Sequence, residues 1–366
     1  MSQTARHRRA RPPKEYAAST IPGVEGIAAQ EIQSQLKNAQ IVEQRRGWVV
    51  FRCQDDAASL LRLRTVEDVF VVLFHTAKLP PRRQDALTTL TRMAAKSRHW
   101  DHALTRFHQA QTRSVRRITF RVIAQMTGRH PFRRSEARDA VLAGAQKRWK
   151  RWKQVADDAH LELWTPIIDR WALIAIRLSD RRMRHRTYKQ AHLAASLRPT
   201  LAAAMVRLTH PQPGDRFCDP MCGAGTILAE RALAAPYRAL IGGDIEVRAV
   251  QAARANLRRV DDASVHWWDA RRLPVRTGVI DALVSNLPFG EQIGSHEENP
   301  ALYDQVLRQL VRVLKRGGRA VLLTSEKELI HNLIGRYPQL TRERQVLVAV
   351  LGKAARIYVL RKIGRL

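Results

Sequence analysis

The sequence predicts an α/β protein in which a doubly wound, mostly parallel sheet follows two smaller α/β units. Two observations predict this architecture. From Leu197 onward, short apolar runs alternate with stretches of helical periodicity, which is typical of strands and helices in a parallel sheet. Before that point strands and helices also alternate, and a polar, arginine-rich stretch at residues 181–195 separates the two halves. The length of 366 residues agrees with more than one folded unit.

The charge of the chain indicates a polyanionic partner. Lys and Arg total 64 against 33 Asp and Glu, a net charge of +31, and binding of nucleic acid would relieve this self-repulsion. A basic surface that is merely solvated is the alternative. The three cysteines are too few for a disulfide framework and lack the paired spacing of a zinc site, which predicts a cytoplasmic protein without a metal. The sequence has no apolar run of transmembrane length, so no membrane association is expected.

Residues 16–77 follow the element order of a ferredoxin-like unit. Strands are predicted at 16–20, 40–44, 48–53 and 69–74, with helices over 24–36 and around Leu60, Leu61 and Leu63. This βαββαβ order is that of the split βαβ motif. Residues 1–15 precede it as a basic tail, because their arginines are not followed by an apolar segment.

Residues 78–180 are predicted to form a second α/β unit. A helix over 87–111 leads to a strand at 118–125, to the loop and helix of 128-GRHPFRRSE-136, and to strands at 161–165 and 171–178. With 176-IRLSD-180 and the pair Arg186 and Tyr188, this portion resembles the THUMP domain, an RNA-binding module of RNA-modifying enzymes. The resemblance and the local charge assign RNA binding to Arg116, Arg117, Arg129, His130, Arg133, Arg134 and Arg186.

The segment 216-RFCDPMCGAGTILAERAL-233 predicts a nucleoside-binding turn between a strand and a helix. Asp219 ends the strand, and Gly223 and Gly225 allow a sharp turn and a close approach of the backbone. A second strand ends at Asp244, about twenty residues after Gly225, where a carboxylate can bind a ribose diol. A third ends near Asp269, which can accept a hydrogen bond from an adenine amine.

The turn sequence D-P-M-C-G-A-G-T looks like the first motif of class I S-adenosylmethionine-dependent methyltransferases. The resemblance implies a Rossmann-like domain at residues 196–366 with a mostly parallel seven-stranded sheet, joined to the THUMP domain by a linker at 181–195. It also implies S-adenosylmethionine as the cofactor. The predicted cofactor-binding residues are Asp219, Gly223, Gly225, Thr226, Asp244, Ile245, Asp269, Ala270 and Asn286.

The stretch 281-DALVSNLPFG-290 ends a fourth strand on residues suited to an exocyclic amine. The side-chain oxygen of Asn286 and the carbonyl of Pro288 can accept its two N–H bonds, and Phe289 can stack on the base. Gly290 lets the backbone bend away. The four residues are similar to the N/D-P-P-Y/F motif of amino-methyltransferases, from which Leu287 departs. A base in a duplex would have to be flipped out to reach them.

Over residues 16–366 the chain resembles THUMP-domain RNA guanine-N2 methyltransferases. The group that methylates guanosine 6 of the tRNA acceptor stem has this domain order, which implies tRNA as the substrate, a THUMP domain that binds the tRNA 3′ end, and a monomer. Methylation of ribosomal RNA or of the tRNA D-arm junction is one alternative. A non-catalytic RNA-binding protein is another. Tyr303, on a predicted helix before the last three strands, is expected in the core or at the pocket.

Overall fold

The structure is a computed structural model. It describes residues 14–111, 117–193, 196–289, 297–350 and 352–364. Three predictions therefore fall partly or wholly outside the described residues. They concern the basic tail before residue 14, the end of the linker at 194–195, and the two site residues Arg116 and Gly290.

The first half of the chain forms a single eight-stranded sheet. Its strands are β1 (Lys14–Ser19), β2 (Gln40–Arg45), β3 (Trp48–Cys53), β4 (Asp68–Thr76), β5 (Thr119–Thr127), β6 (Lys153–Gln154), β7 (Leu161–Ile168) and β8 (Trp171–Arg177). The spatial order is β2-β3-β1-β4-β8-β7-β5-β6. Antiparallel pairing of β4 with β8 continues the sheet from the unit at 16–77 into the unit at 78–180.

In the described part of the first half, five helices pack on this sheet: α1 (Glu25–Gln35), α2 (Ala57–Leu60), α3 (Arg83–Lys96), α4 (Trp100–Ala110) and α5 (Arg134–Arg148). Two predicted helices differ from the structure. The helix over 87–111 is broken because the Ser97 hydroxyl donates to the carbonyl of Leu73 on β4 and accepts from the amide of His99. The helix around Leu60 ends at Leu60, so Leu63 lies outside it.

The second half is a seven-stranded sheet with helices on both faces, which confirms the predicted fold class. Its strands are β9 (Arg216–Asp219), β10 (Ala239–Asp244), β11 (Ala263–Trp267), β12 (Ile280–Asn286), β13 (Leu314–Thr324), β14 (Leu340–Val350) and β15 (Lys353–Lys362). Between the two halves, α6 (Arg181–His185) lies in the predicted linker, and its buried Met183 packs in the core of the first half. The helices of the second half are α7 (Pro199–Arg207), α8 (Thr226–Ala234), α9 (Val247–Leu257), α10 (Asn299–Val313) and α11 (Lys327–Ile334). The order is β11-β10-β9-β12-β13-β15-β14, with β15 antiparallel to its neighbours.

Helix α1 contributes to the cores of both halves. Ala28 and Ile32 face the core of the first sheet, whereas Val24 and Ile27 are buried with residues of the second half such as Leu201. Full burial of each large apolar side chain contributes roughly 1.5–3 kcal/mol. The two halves are therefore joined through apolar packing. Among the described residues, every helix is too short or too polar to cross a bilayer.

Candidate active site

The loop between β9 and α8 depends on two glycines for different reasons. Gly223 and Gly225 have φ angles of 49° and 75°, in the left-handed region that favours glycine. A Cβ on Gly225 would lie 3.1 Å from the Cβ of Ala253, so this position also packs closely against α9. A Cβ on Gly223 would meet no atom within 4 Å. The backbone at Gly223 therefore borders open space beside the strand ends.

The carboxylates of Asp219 and Asp244 lie at the same edge of the sheet because β9 and β10 are parallel neighbours. Asp244 Oδ2 accepts a 2.9 Å hydrogen bond from the amide of Gly223, and Oδ1 accepts one of 3.1 Å from the amide of Glu246. These two bonds fix the carboxylate of Asp244 at the end of β10. Its remaining lone pairs suit the two hydroxyls of a ribose.

Asp219 is fully buried and incompletely hydrogen-bonded. Its Oδ1 accepts long hydrogen bonds from the amide of Met221 (3.3 Å) and the hydroxyl of Ser285 (3.4 Å), and the described residues supply no partner for Oδ2. Burial raises the pKa of Asp219 to about 8, and the nearby charge of Asp244 adds to the rise. A cationic ligand group at Oδ2 would compensate this buried carboxylate.

The end of β11 carries Asp269 and an aromatic residue that the sequence analysis did not single out. Asp269 accepts from the amide of Arg271 at 2.9 Å and from its Nε at 2.8 Å, and this side-chain hydrogen bond holds the pKa of Asp269 below its usual value. Ala270 is buried beside it. Trp267 is 68% exposed, and its Nε1 donates to the carbonyl of Ile245, itself 55% exposed. The signal available in the sequence was that an aromatic residue, Trp267, ends a strand that leads to the site.

The end of β12 places Asn286 near Asp219. Leu283 pairs with Cys218 in the parallel β9–β12 ladder, so Asn286 lies two residues beyond the position level with Asp219. The amide of Leu287 donates to the carbonyl of Leu323 on β13, and the Leu287 side chain is buried. The described residues leave the buried Asn286 Oδ1 without a hydrogen-bond partner. That oxygen can accept a hydrogen bond from a ligand.

The carbonyl of Pro288 is already held from inside the protein. It accepts a 2.5 Å hydrogen bond from the Tyr303 hydroxyl and a 3.3 Å bond from Asn299 Nδ2. Tyr303 also bonds Thr324 Oγ1 at 2.7 Å and is fully buried, so it supports the loop from the core. Phe289 is half-buried against the core of the second half. The role of the Pro288 carbonyl as an amine acceptor stays a prediction.

The donor and acceptor atoms of this site fit S-adenosylmethionine. The buried oxygens that lack a partner within the described residues include Asp219 Oδ2, Thr226 Oγ1 and Asn286 Oδ1 at this site. Asp219 can take a cationic ammonium, Asp244 a ribose diol and Asp269 an adenine amine. The open space at Gly223 lies beside the carboxylate of Asp244, which accepts from the Gly223 amide. These residues could therefore hold each polar part of the cofactor.

The fold and this site define a class I, S-adenosylmethionine-dependent methyltransferase domain, as the sequence predicted. Residues 186–353 match the family described as UPF0020, RMKL-like, methyltransferase domain. SMU.472, solved in complex with SAH, shares the fold with a TM-score of 0.70 at 15% identity, over 97% of this chain and 100% of its own.

Two relatives of this chain are named as tRNA guanine-N2-methyltransferases. The chain is 33% identical over 265 residues to tRNA (guanine(6)-N(2))-methyltransferase THUMP3 of Mus musculus, which covers 67% of this chain and 52% of the relative. It thus spans about half the length of that relative. It is 28% identical over 350 residues to tRNA (guanine(6)-N2)-methyltransferase of Thermus thermophilus, covering 94% and 99%. The crystal structure of TrmN from Thermus thermophilus superposes with a TM-score of 0.78 at 25% identity, covering 95% and 99%.

The residues assigned to RNA binding divide into an exposed group and one buried residue. Arg117, Arg129, Arg133 and Arg134 are exposed, and His130 near them donates from Nε2 to the Thr127 carbonyl. The prediction for Arg186 is wrong. Its side chain is only 7% exposed, because Nε pairs with Glu230 at 3.2 Å and Nη2 donates to the Arg64 carbonyl at 2.7 Å. These contacts leave no surface for a phosphate.

Proposed function

We propose that this protein methylates the exocyclic N2 of a guanosine in tRNA, at position 6 of the acceptor stem, with S-adenosylmethionine as the methyl donor. The observation that carries the reaction type is the buried, unpartnered oxygen of Asn286, on the strand next to the one that ends at Asp219. The choice of tRNA rests on the names of the relatives from Mus musculus and Thermus thermophilus. The choice of guanosine 6 rests on the same names.

In this proposal the chain acts by position and electrostatics. S-adenosylmethionine supplies an electrophilic methyl group on its sulfonium. Asn286 Oδ1 accepts an N–H of the base amine, which orients the nitrogen and stabilises the positive charge that develops on it. The Pro288 carbonyl serves as second acceptor when a bond from Tyr303 or Asn299 yields. Phe289 stacks on the base, a contact worth roughly 1–3 kcal/mol.

The unit at 78–180 is proposed to act as a THUMP domain that binds the 3′ end of the tRNA. Its support is the exposed arginine cluster around the start of α5, at Arg129, Arg133 and Arg134. Arginine pairs well with phosphates, and each pair releases counterions. We propose in addition that the enzyme works in the cytoplasm as a monomer.

The function is tested by transfer of an isotopic label. The protein is incubated with labelled S-adenosylmethionine and, in parallel, with unmodified tRNA or ribosomal RNA, and the digested nucleosides are identified by mass spectrometry. Label in N2-methylguanosine from tRNA is expected. The variant Asn286→Ala should lose it, whereas Asn332→Ala, at an exposed position on α11, should retain it.

Other outcomes would revise the proposal in defined ways. Label confined to ribosomal RNA would replace the substrate, and label in methyladenosine would overturn the choice of guanine. Mapping the labelled nucleotide to the D-arm would overturn position 6. RNA binding without label in either RNA would favour a non-catalytic RNA-binding protein.

A further inference from the structure

The linker between the two halves is hydrogen-bonded to the loop that holds the cofactor site. The contact runs through Asn256 on α9, which is 4% exposed. Asn256 Oδ1 accepts from the amides of Gln190 (2.8 Å) and Ala191 (2.9 Å) in the linker. Its Nδ2 donates to the Ala191 carbonyl (3.0 Å) and to the carbonyl of Ala224 (2.8 Å) in the cofactor loop. All four hydrogen-bonding positions of this amide are used.

Ala224 lies where the loop most needs support. It is flanked by Gly223 and Gly225, both in the left-handed region, and glycine has more conformational freedom to lose than any other residue. The described contacts fix the loop on one side by the bond from the Gly223 amide to Asp244 and on the other by the bond from Asn256 to Ala224. A ligand gains affinity when such a loop is already in its bound conformation.

A second contact joins the linker to the helix that follows the loop. Glu230, one turn into α8, is fully buried. It accepts hydrogen bonds from the Tyr188 hydroxyl (2.7 Å), from Arg186 Nε (3.2 Å), and from Arg64 of the first half at 2.7 and 3.0 Å. The linker thus bonds the helix directly and the cofactor loop through Asn256.

We propose that Asn256 is a positioning residue: its hydrogen bonds to the linker fix its side chain, and its bond to Ala224 then holds the cofactor loop in its binding conformation. Glu230 fixes the linker at a second point. The inference rests on cofactor binding by this site in the proposed function. The affinity for the cofactor would then depend on the hydrogen bonds between the linker and the second half. Neither Asn256 nor Glu230 is assigned a contact with the cofactor.

Replacement of Asn256 by Asp keeps the acceptor of this amide and removes its donors. Aspartate keeps the oxygen that accepts from the linker amides but loses the N–H groups that donate to the carbonyls of Ala224 and Ala191. With S-adenosylhomocysteine as the probe in titration calorimetry, we expect Asn256→Asp and Asn256→Ala both to bind about tenfold more weakly, equal to about 1.4 kcal/mol. Affinity for tRNA should stay unchanged, and amide exchange at Gly223 and Ala224 should accelerate. Asn332→Ala serves as the matched control.

Tyr188→Phe provides a second variant in case the carboxylate introduced by Asn256→Asp prevents folding. It removes one hydroxyl and keeps the ring. It should weaken S-adenosylhomocysteine binding about threefold while leaving tRNA affinity intact. Wild-type affinity in Asn256→Asp, with or without a defect in Asn256→Ala, would overturn the loop-holding role, and wild-type affinity in Tyr188→Phe would overturn the part given to Glu230. Failure of the wild-type protein to bind the probe would instead contradict the proposed function.

Discussion

Replacement of Asp219 by Asn should stabilise the protein and weaken its binding of the cofactor. Burial raises the pKa of Asp219 to about 8 in the folded state, against about 3.9 in an unfolded chain. Between these values the unfolded state ionises while the folded state keeps its proton. The free energy of unfolding therefore falls as the pH rises from about 4 to about 8, by up to 1.36 kcal/mol per pH unit.

The size of the effect follows from that window. From pH 5 to pH 8 this carboxyl costs the folded state roughly 4 kcal/mol, and asparagine, which does not titrate, avoids the cost. For a chain of 366 residues the melting temperature of Asp219→Asn minus that of the wild type should therefore increase by about 5 °C between pH 5 and pH 8. Calorimetry without cofactor measures this difference. Asp261→Asn, at an exposed position, is the control.

The same variant should lose about 100-fold in affinity for S-adenosylhomocysteine, because a charge-assisted hydrogen bond contributes up to about 3 kcal/mol and asparagine offers no charge. Melting curves of wild type and variant that stay parallel across this pH range would refute the account of a buried, protonated carboxyl. Tight binding by the variant would refute its role as the partner of a cationic group.

Three further predictions concern the loop, the glycine turn and the basic surface. Tyr303→Phe removes the hydroxyl that bonds the Pro288 carbonyl, so kcat should fall about tenfold while the affinity for S-adenosylhomocysteine is retained; equal kcat values would argue against a supporting role. Gly225→Ala should lower the free energy of unfolding in urea by about 1–3 kcal/mol, because Gly225 has a positive φ and the new Cβ would lie close to the Cβ of Ala253 on α9. Gly214→Ala should lower it far less, because a Cβ there meets no atom within 4 Å. Arg134→Ala should reduce the magnitude of the negative slope of log association constant for tRNA against log salt concentration by about 1, because one phosphate contact is lost. An unchanged slope would remove Arg134 from the interface.

The sequence was most informative where the signal is local. The cofactor loop could be predicted because a strand, two glycines and a helix follow one another within a few residues, and parallel strands bring Asp219 and Asp244 to one edge. Asn286 could be predicted for the same reason, since it ends an apolar strand in the same sheet.

Features that depend on distant residues were not predictable in this way. Pairing of β4 with β8 joins residues about a hundred positions apart, and neither strand carries a signal for its partner. Arg186 lies in a segment that is arginine-rich and so looked exposed, and only the fold brings Glu230 to it. The break at Ser97 depends on a carbonyl of β4, which no periodicity within 87–111 can indicate.

The contact between the turn at Pro22 and strand β14 has a consequence for protein solubility. β14 is the outermost strand of the second sheet, and an outer strand offers unpaired amides and carbonyls to any other chain. The carbonyl of Pro22 accepts from the amide of Ala349, and Gly23 approaches so closely that a Cβ there would lie 1.8 Å from the Leu347 carbonyl oxygen. The first half of the chain thus covers β14 around Leu347 and Ala349, a stretch that would otherwise be open to self-association, and the second half produced alone would be prone to aggregate along this edge.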